Sequence, residues 1–135
     1  MTEQTLLIIK PDATARRLVG EILRRVERSG FEIKRAKVAH LTPAEARKFY
    51  AVHEGKPFLD GLCAFMASGA IVPVVLEKDN AIADLRALIG ATDPAEAACG
   101  TLRFEIAEDK QRNSVHASDS PESASTEIPF FFGEE

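Results

Sequence analysis

The sequence predicts a small α/β sandwich. Three observations carry that expectation: strand-like apolar runs alternate with segments of helical periodicity, the strands are too few for a large doubly wound sheet, and 135 residues suffice for one domain. A folded chain of 14.7 kDa buries roughly two-thirds of the surface that its unfolded form exposes, so a core is available. No Ser/Gly-rich linker and no repeat at a fixed period divides the chain, and residues 1–135 read as a single domain.

The first strand is Thr5 to Ile9, a compact apolar run that stops at Lys10-Pro11, where proline withdraws a backbone donor. After a loop from Asp12 to Arg17, the residues Leu18, Val19, Ile22, Leu23 and Val26 recur at helical spacing, with Glu21, Arg24, Arg25, Glu27 and Arg28 on the other side. Ser29-Gly30 ends that helix. A second strand runs from Phe31 to about Leu41, and its apolar parity changes between Ile33 and Ala36, which predicts a bulge or two differently covered faces. Thr42-Pro43-Ala44-Glu45 is a capping box with proline at the first helical position, so a helix starts there and carries Tyr50 and His53 near its far end.

A further helix follows Pro57, from about Phe58 to Met66. Ala70 to Leu76 reads as a third strand, in which Pro73 argues for an edge position or a local bulge. Asp79 or Asn80 caps a helix with Ile82, Leu85, Leu88 and Ile89 on one face and Arg86 on the other, stopped by Gly90. The stretch from Ala91 to Arg112 is loop-rich and leads to a short strand, Ser114 to His116. Ser120-Pro121 then opens a last helix, which Pro129 ends or kinks before Phe130. This order is that of a ferredoxin-like βαββαβ sandwich, a four-stranded antiparallel sheet with helices packed on it.

A formal net charge of −4 excludes a protein whose main business is coating nucleic acid. RNA platforms on such sheets also need exposed aromatics on the central strands, and Thr5 to Ile9 and Ser114 to His116 contain none. Cys63 and Cys99 are too few for a disulfide framework or a thiolate metal site and suit a reducing compartment. Met-Thr-Glu-Gln precedes the first strand without a basic flank or a cleavage-like run of small residues, so a cytoplasmic protein is expected. The nearly uncharged stretch from Gly61 to Leu76 is shorter than a membrane span and is interrupted by Ser68, Gly69 and Pro73.

Neither a Gly-x-x-x-x-Gly-Lys-Ser/Thr run nor a Gly-x-Gly-x-x-Gly after a strand is present, so any phosphate must be held by side chains. His40, His53 and His116 are too dispersed for a zinc site; the first two read as a strand surface residue and a helix-end residue. His116 differs, because it precedes a polar turn, Ala117-Ser118-Asp119-Ser120, that feeds the helix carrying Glu127. An imidazole with one ring nitrogen held by a hydrogen bond presents the other as a nucleophile.

The run Asn113-Ser114-Val115-His116-Ala117-Ser118-Asp119-Ser120 resembles the active-site signature of the nucleoside diphosphate kinases. Other stations of that family follow in order: Ile9-Lys10-Pro11-Asp12-Ala13, Tyr50 through Lys56-Pro57-Phe58, Gly90-Ala91-Thr92-Asp93-Pro94, and Gly100-Thr101-Leu102-Arg103. The resemblance implies transfer of the terminal phosphate of a nucleoside triphosphate to a diphosphate by a ping-pong route through phosphohistidine on His116, at Nδ1, to maintain nucleotide pools. It implies that Lys10, Arg86, Thr92 and Arg103 contact the phosphates, that Lys10 and Asn113 reach the sugar, and that Phe58 stacks on the base. Tyr50, Ser118 and Glu127 would line or orient the histidine. Mg²⁺ would arrive largely on the nucleotide phosphates, with no dedicated protein cage.

A homo-oligomer is expected, since three consecutive phenylalanines, Phe130 to Phe132, are more than one helix can bury. The resemblance implies that it is built from dimers, and the short tail ending at Glu134-Glu135 puts the tetramer ahead of the dimer and the dimer ahead of the hexamer. The alternative is a catalytically weak member of the family kept for interaction or regulation. It rests on departures from the family's pattern: Ala117 stands where glycine is common, adding a methyl where backbone and phosphate approach, and Pro73 falls in a strand the family places inside the sheet. Leu59 and Ala70 replace a frequent phenylalanine and proline as packing changes, and Pro129 is expected to shorten or bend the last helix close to Glu127.

Overall fold

Burial on both sides explains the unbroken apolar run Leu6 to Ile9 that ends strand β1 (Thr2–Ile9). Leu7 and Ile9 enter one core layer with Ile22, Val26, Leu85 and Ile89, while Leu6 and Ile8 enter a second with Tyr50, Cys63, Met66 and Phe131. Successive strand residues face opposite ways, so a strand covered on both faces has no polar alternate. The structure, a computed structural model, describes residues 2–91, 94–107 and 114–133.

After β1 come α1 (Pro11–Ala15), α2 (Val19–Arg28), β2 (Glu32–Ala36), α3 (Pro43–Phe49), a 3₁₀ turn at Ala51–His53 and α4 (Leu59–Met66). Then follow β3 (Val72–Asp79), α5 (Ala81–Ile89), a 3₁₀ turn at Pro94–Glu96, α6 (Leu102–Ile106), β4 (Val115–Ala117) and α7 (Pro121–Phe132). The sheet order is β2-β3-β1-β4 with antiparallel pairings, and residues of α2 and α5 pack on one face while those of α3, α4 and α7 pack on the other. This is the ferredoxin-like sandwich that the sequence predicts.

Several expectations need correction. Asp12 to Arg17 is not all loop: Pro11 sits at the first helical position, where its missing N–H costs nothing, and starts α1. The stretch from Ala91 to Arg112 contains α6, capped by Thr101, whose hydroxyl accepts from the Phe104 N–H at 3.3 Å. Asn80 is the N-cap residue of α5, but it is left-handed and its side chain makes no cap bond; Glu3 of β1 accepts from the Ile82 N–H at 2.9 Å.

The second strand is shorter than predicted, although the shift of pairing between Ile33 and Arg35 is the expected bulge. Pro73 accounts for the shortening. It lies in an inner strand, not at an edge, and its carbonyl accepts from the Lys37 N–H at 3.2 Å while its missing donor faces the same side. The Lys37 carbonyl therefore gets no return bond, β2 ends at Ala36, and pairing resumes only at the isolated Ala39–Ile71 bridge. One lost ladder bond, worth about 1 kcal/mol, is the cost of the proline.

Pro129 neither ends nor shortens α7, which runs through it to Phe132. The carbonyl it deprives of a donor, four residues back at Ser125, belongs to an exposed residue, and Gly133 N–H closes the last turn on the Pro129 carbonyl at 2.8 Å. Phe49 holds that turn down, its ring centre 5.2 Å from Phe130 and 5.3 Å from Phe131. The three phenylalanines are thus not an exposed patch: Phe131 is buried, and Phe130 and Phe132 pack partly buried against the chain's own core.

Candidate active site

Pairing with β1 decides which way the β4 side chains face. His116 lies opposite Ile8 and shares its face of the sheet, toward α3 and α7, whereas Val115 and Ala117, opposite Ile9 and Leu7, face the other core layer. The Ala117 methyl is therefore buried among apolar side chains on the far side of the sheet from His116, and the expectation that it crowds a phosphate is incorrect.

His116 Nε2 lies 3.2 Å from Glu127 Oε1, and the Ser118 hydroxyl donates to the same oxygen at 2.7 Å. An ionised carboxylate only accepts, so Nε2 carries the hydrogen and the free lone pair falls on Nδ1. Ser120 makes this possible by capping α7 through the Ser123 N–H at 3.0 Å, which aims the helix so that Glu127, two turns in, meets β4. Phe49 and Tyr50 wall the imidazole edge-on, with ring centres 5.6 and 6.1 Å away. Burial first, and then the nearby Glu127 carboxylate, push the Tyr50 phenol well above its usual range, so it stays neutral.

Arg103 approaches from α6. It is buried, donating from one guanidinium nitrogen to the Gly90 carbonyl at 3.0 Å and from another to the Val115 carbonyl at 2.7 Å, with its Nε buried and unpartnered. Burial, and then repulsion from Arg86, lower its pKa to about 10, still far above neutrality. Among the described residues its hydrogen-bond acceptors are neutral carbonyls, so a full charge is available to an anion. Gly90 permits this arrangement: at φ +89° it ends α5, and an added Cβ would meet the Thr101 hydroxyl at 2.5 Å.

Arg86 is exposed on α5, and its charge helps hold the Asp119 carboxyl below its usual range, after the hydrogen bond that Asp119 accepts from Ser123 at 2.6 Å. Lys10 leaves β1 beside the same strand end, its N–H donating to the Ser114 carbonyl at 2.9 Å; the side chain is only 5% exposed, with Nζ 5.5 Å from the Phe65 ring centre. Phe58 stands at the start of α4, 50% exposed, with His53 edge-on at 5.2 Å and Tyr50 stacked behind His53 at 6.1 Å. Thr92 and Asn113 lie outside the described residues.

The structure thus gathers His116, Ser118, Glu127 and Tyr50 into one contact set, with Arg103 anchored to β4 beside it. Sequence reasoning missed Phe49, although two adjacent aromatics at a helix end are a signal, and it treated His53 as a bystander although it backs Phe58. Among the described residues no group of three His, Cys, Asp or Glu is placed to hold a metal. Glu127 and Asp119 are engaged by Ser118 and Ser123, and the arginines are cationic, a donor set that fits a divalent ion brought on phosphate oxygens.

A family model described as nucleoside diphosphate kinase matches residues 3–135. The nucleoside diphosphate kinase of Salinibacter ruber is 56% identical over 133 residues, covering 98% of this chain and 94% of the relative, and that of Chlorobium chlorochromatii is 51% identical, covering 98% and 95%. Among solved structures, the Aquifex aeolicus nucleoside diphosphate kinase superposes with a TM-score of 0.96 at 46% identity, covering 98% of this chain and 96% of that one. The Halobacterium salinarum nucleoside diphosphate kinase in complex with CDP gives 0.95 at 37% identity, covering 99% and 90%.

Proposed function

Because the chain belongs to the nucleoside diphosphate kinase family, and so is a nucleotide phosphotransferase serving nucleotide pools, we propose that its reaction runs by a ping-pong route through His116. The observation that carries this reading is the engagement of Nε2 by Glu127, which leaves Nδ1 as the nucleophile. The Nδ1 lone pair attacks the γ-phosphorus of the triphosphate, the bond to the β-phosphate oxygen breaks, and a diphosphate leaves. A second diphosphate then attacks the phosphorus through its terminal oxygen, the P–N bond breaks, and His116 is restored. Glu127 stabilises the charge that the ring gains in between, with Ser118 holding the carboxylate.

Arg103 and Arg86 supply positive charge to the transferring group, with Lys10, Thr92 and Asn113 completing the contacts to phosphates and sugar. A nucleotide kinase of this kind generally needs a divalent metal; we assign Mg²⁺, which when bound neutralises charge on the phosphate oxygens. Incubation with ATP, Mg²⁺ and a different nucleoside diphosphate tests the reading: the new triphosphate appears, with initial rates showing ping-pong dependence on the two substrates. Sequential kinetics, or no exchange, contradicts it.

Phe58 offers the base a half-exposed ring face, which every base shares, so purine and pyrimidine diphosphates are all expected to be accepted. Phe58→Ala should weaken diphosphate binding by about 1–3 kcal/mol, roughly fivefold to 150-fold in Kd by calorimetry, with a smaller change in the saturated rate. Strict preference for one base at saturation would refute stacking.

We also read the chain as one domain and place it in the cytoplasm, in keeping with free thiols at Cys63 and Cys99; among the described residues no helix is long and apolar enough to cross a membrane. We also propose a homo-oligomer of dimers with the tetramer favoured; the phenylalanines no longer support it, and what supports the pairing of two copies is the edge strand β2 with Val38, 69% exposed, beside it. Light scattering on a sizing column is expected to show a tetramer, and a monomer at micromolar concentration would overturn this assignment.

A further inference from the structure

Asp12 is a buried carboxylate for which the reaction just described has no use. It sits in α1 at 7% exposure; its Oδ2 accepts from the Ser114 hydroxyl at 3.3 Å, and its Oδ1 is buried with no hydrogen-bond partner. Burial raises its pKa, and the Lys10 charge is the largest influence opposing that rise. Its place in the first turn of α1 favours a carboxylate, but an unpartnered carboxylate oxygen is costly to bury, and a surface position would serve the helix as well.

Its partner supplies the reason. Ser114 is fully buried and left-handed, at φ +77°, a conformation that L-residues avoid and keep only where their surroundings enforce it. The Lys10 N–H bonded to the Ser114 carbonyl at 2.9 Å holds it from one side, and the Asp12 carboxylate, drawn to both the Ser114 hydroxyl and the Ser114 N–H, holds it from the other. The bent residue is the last before β4, so it sets the direction in which the chain enters the strand and the line along which His116, two residues on, presents Nδ1.

We propose that Asp12 is a positioning residue for phosphoryl transfer: it holds the Ser114 bend that aims His116 and gives Lys10 a fixed counter-charge at the same strand end. This rests on His116 being the nucleophile. In-line attack is sensitive to small displacements, so the loss should fall on the chemical step and not on nucleotide binding.

The test is single-turnover formation of the phosphoenzyme at saturating ATP and Mg²⁺, with ADP affinity and urea unfolding measured on the same samples. Asp12→Asn is expected to slow phosphorylation about tenfold to a hundredfold while the Kd for ADP changes less than about threefold. Ser114→Ala removes the hydroxyl bond from the other side and should give a smaller loss of the same kind, and the double variant should be hardly slower than Asp12→Asn alone. Rates within twofold of the parent in Asp12→Asn, or losses that multiply in the double variant, would overturn the proposal. If Asp12→Asn does not fold, a Ser114→Ala protein that phosphorylates at the parental rate overturns it equally. A parent protein that forms no phosphoenzyme refutes instead the assignment of His116.

Discussion

Replacing His116 by Gln should abolish both phosphoenzyme formation and nucleotide exchange, with a loss on the order of 10⁴-fold or more, the scale on which removal of a covalent nucleophile is felt. The fold should survive the change. His116 is partly exposed near the end of a three-residue strand, and its neighbours on that strand, Val115 and Ala117, carry the apolar contacts to the other core layer. Gln keeps a donor for Glu127, so that carboxylate is not stranded. Urea unfolding within about 1 kcal/mol of the parent, together with exchange below detection, is the expected pair of results. Exchange that persists in the Gln variant would place the nucleophile elsewhere.

Removal of the Arg103 guanidinium should be the next most damaging change, at about 10²- to 10³-fold in the saturated rate, because its charge acts on oxygens whose negative charge redistributes in the transition state. Arg103→Lys is the sharper probe. It keeps the charge but loses the fork that grips the Gly90 and Val115 carbonyls together, so the ammonium can satisfy one of them while the other carbonyl goes unpaired. A rate well below the parent in the Lys variant, with ADP affinity nearly unchanged, is expected in stopped-flow measurements. If Lys restores the parental rate, charge alone matters and the anchoring of Arg103 to β4 is irrelevant to the chemistry.

Much of the site is readable along the chain because its parts are short local runs. Ser118 and Glu127 meet His116 through one turn and two helical turns, a reach that the capped helix after Ser120 makes visible in the sequence. Helices α1 and α6 escaped notice for the opposite reason: each is five residues long, too short for a periodic face to repeat. Asp12 could not be assigned a role because its partner lies 102 residues away, and nothing in the composition of either segment announces the contact. Pro73 misleads because the rule against proline in inner strands assumes that both neighbouring ladders are intact, and here β2 ends where the donor is missing. Pro129 misleads in the same way, since aromatic packing around Phe49 outweighs one lost helical bond.

The most direct test of the mechanism is to identify the ring nitrogen that carries phosphate. Protein treated briefly with ATP and Mg²⁺, freed of nucleotide and kept at alkaline pH can be examined by ³¹P NMR, which separates the two phosphohistidine isomers, while peptide mass spectrometry locates the residue. A single acid-labile phosphate on Nδ1 of His116 is the expected result, because Glu127 occupies Nε2. Phosphate on Nε2, on any other residue, or on none would contradict it.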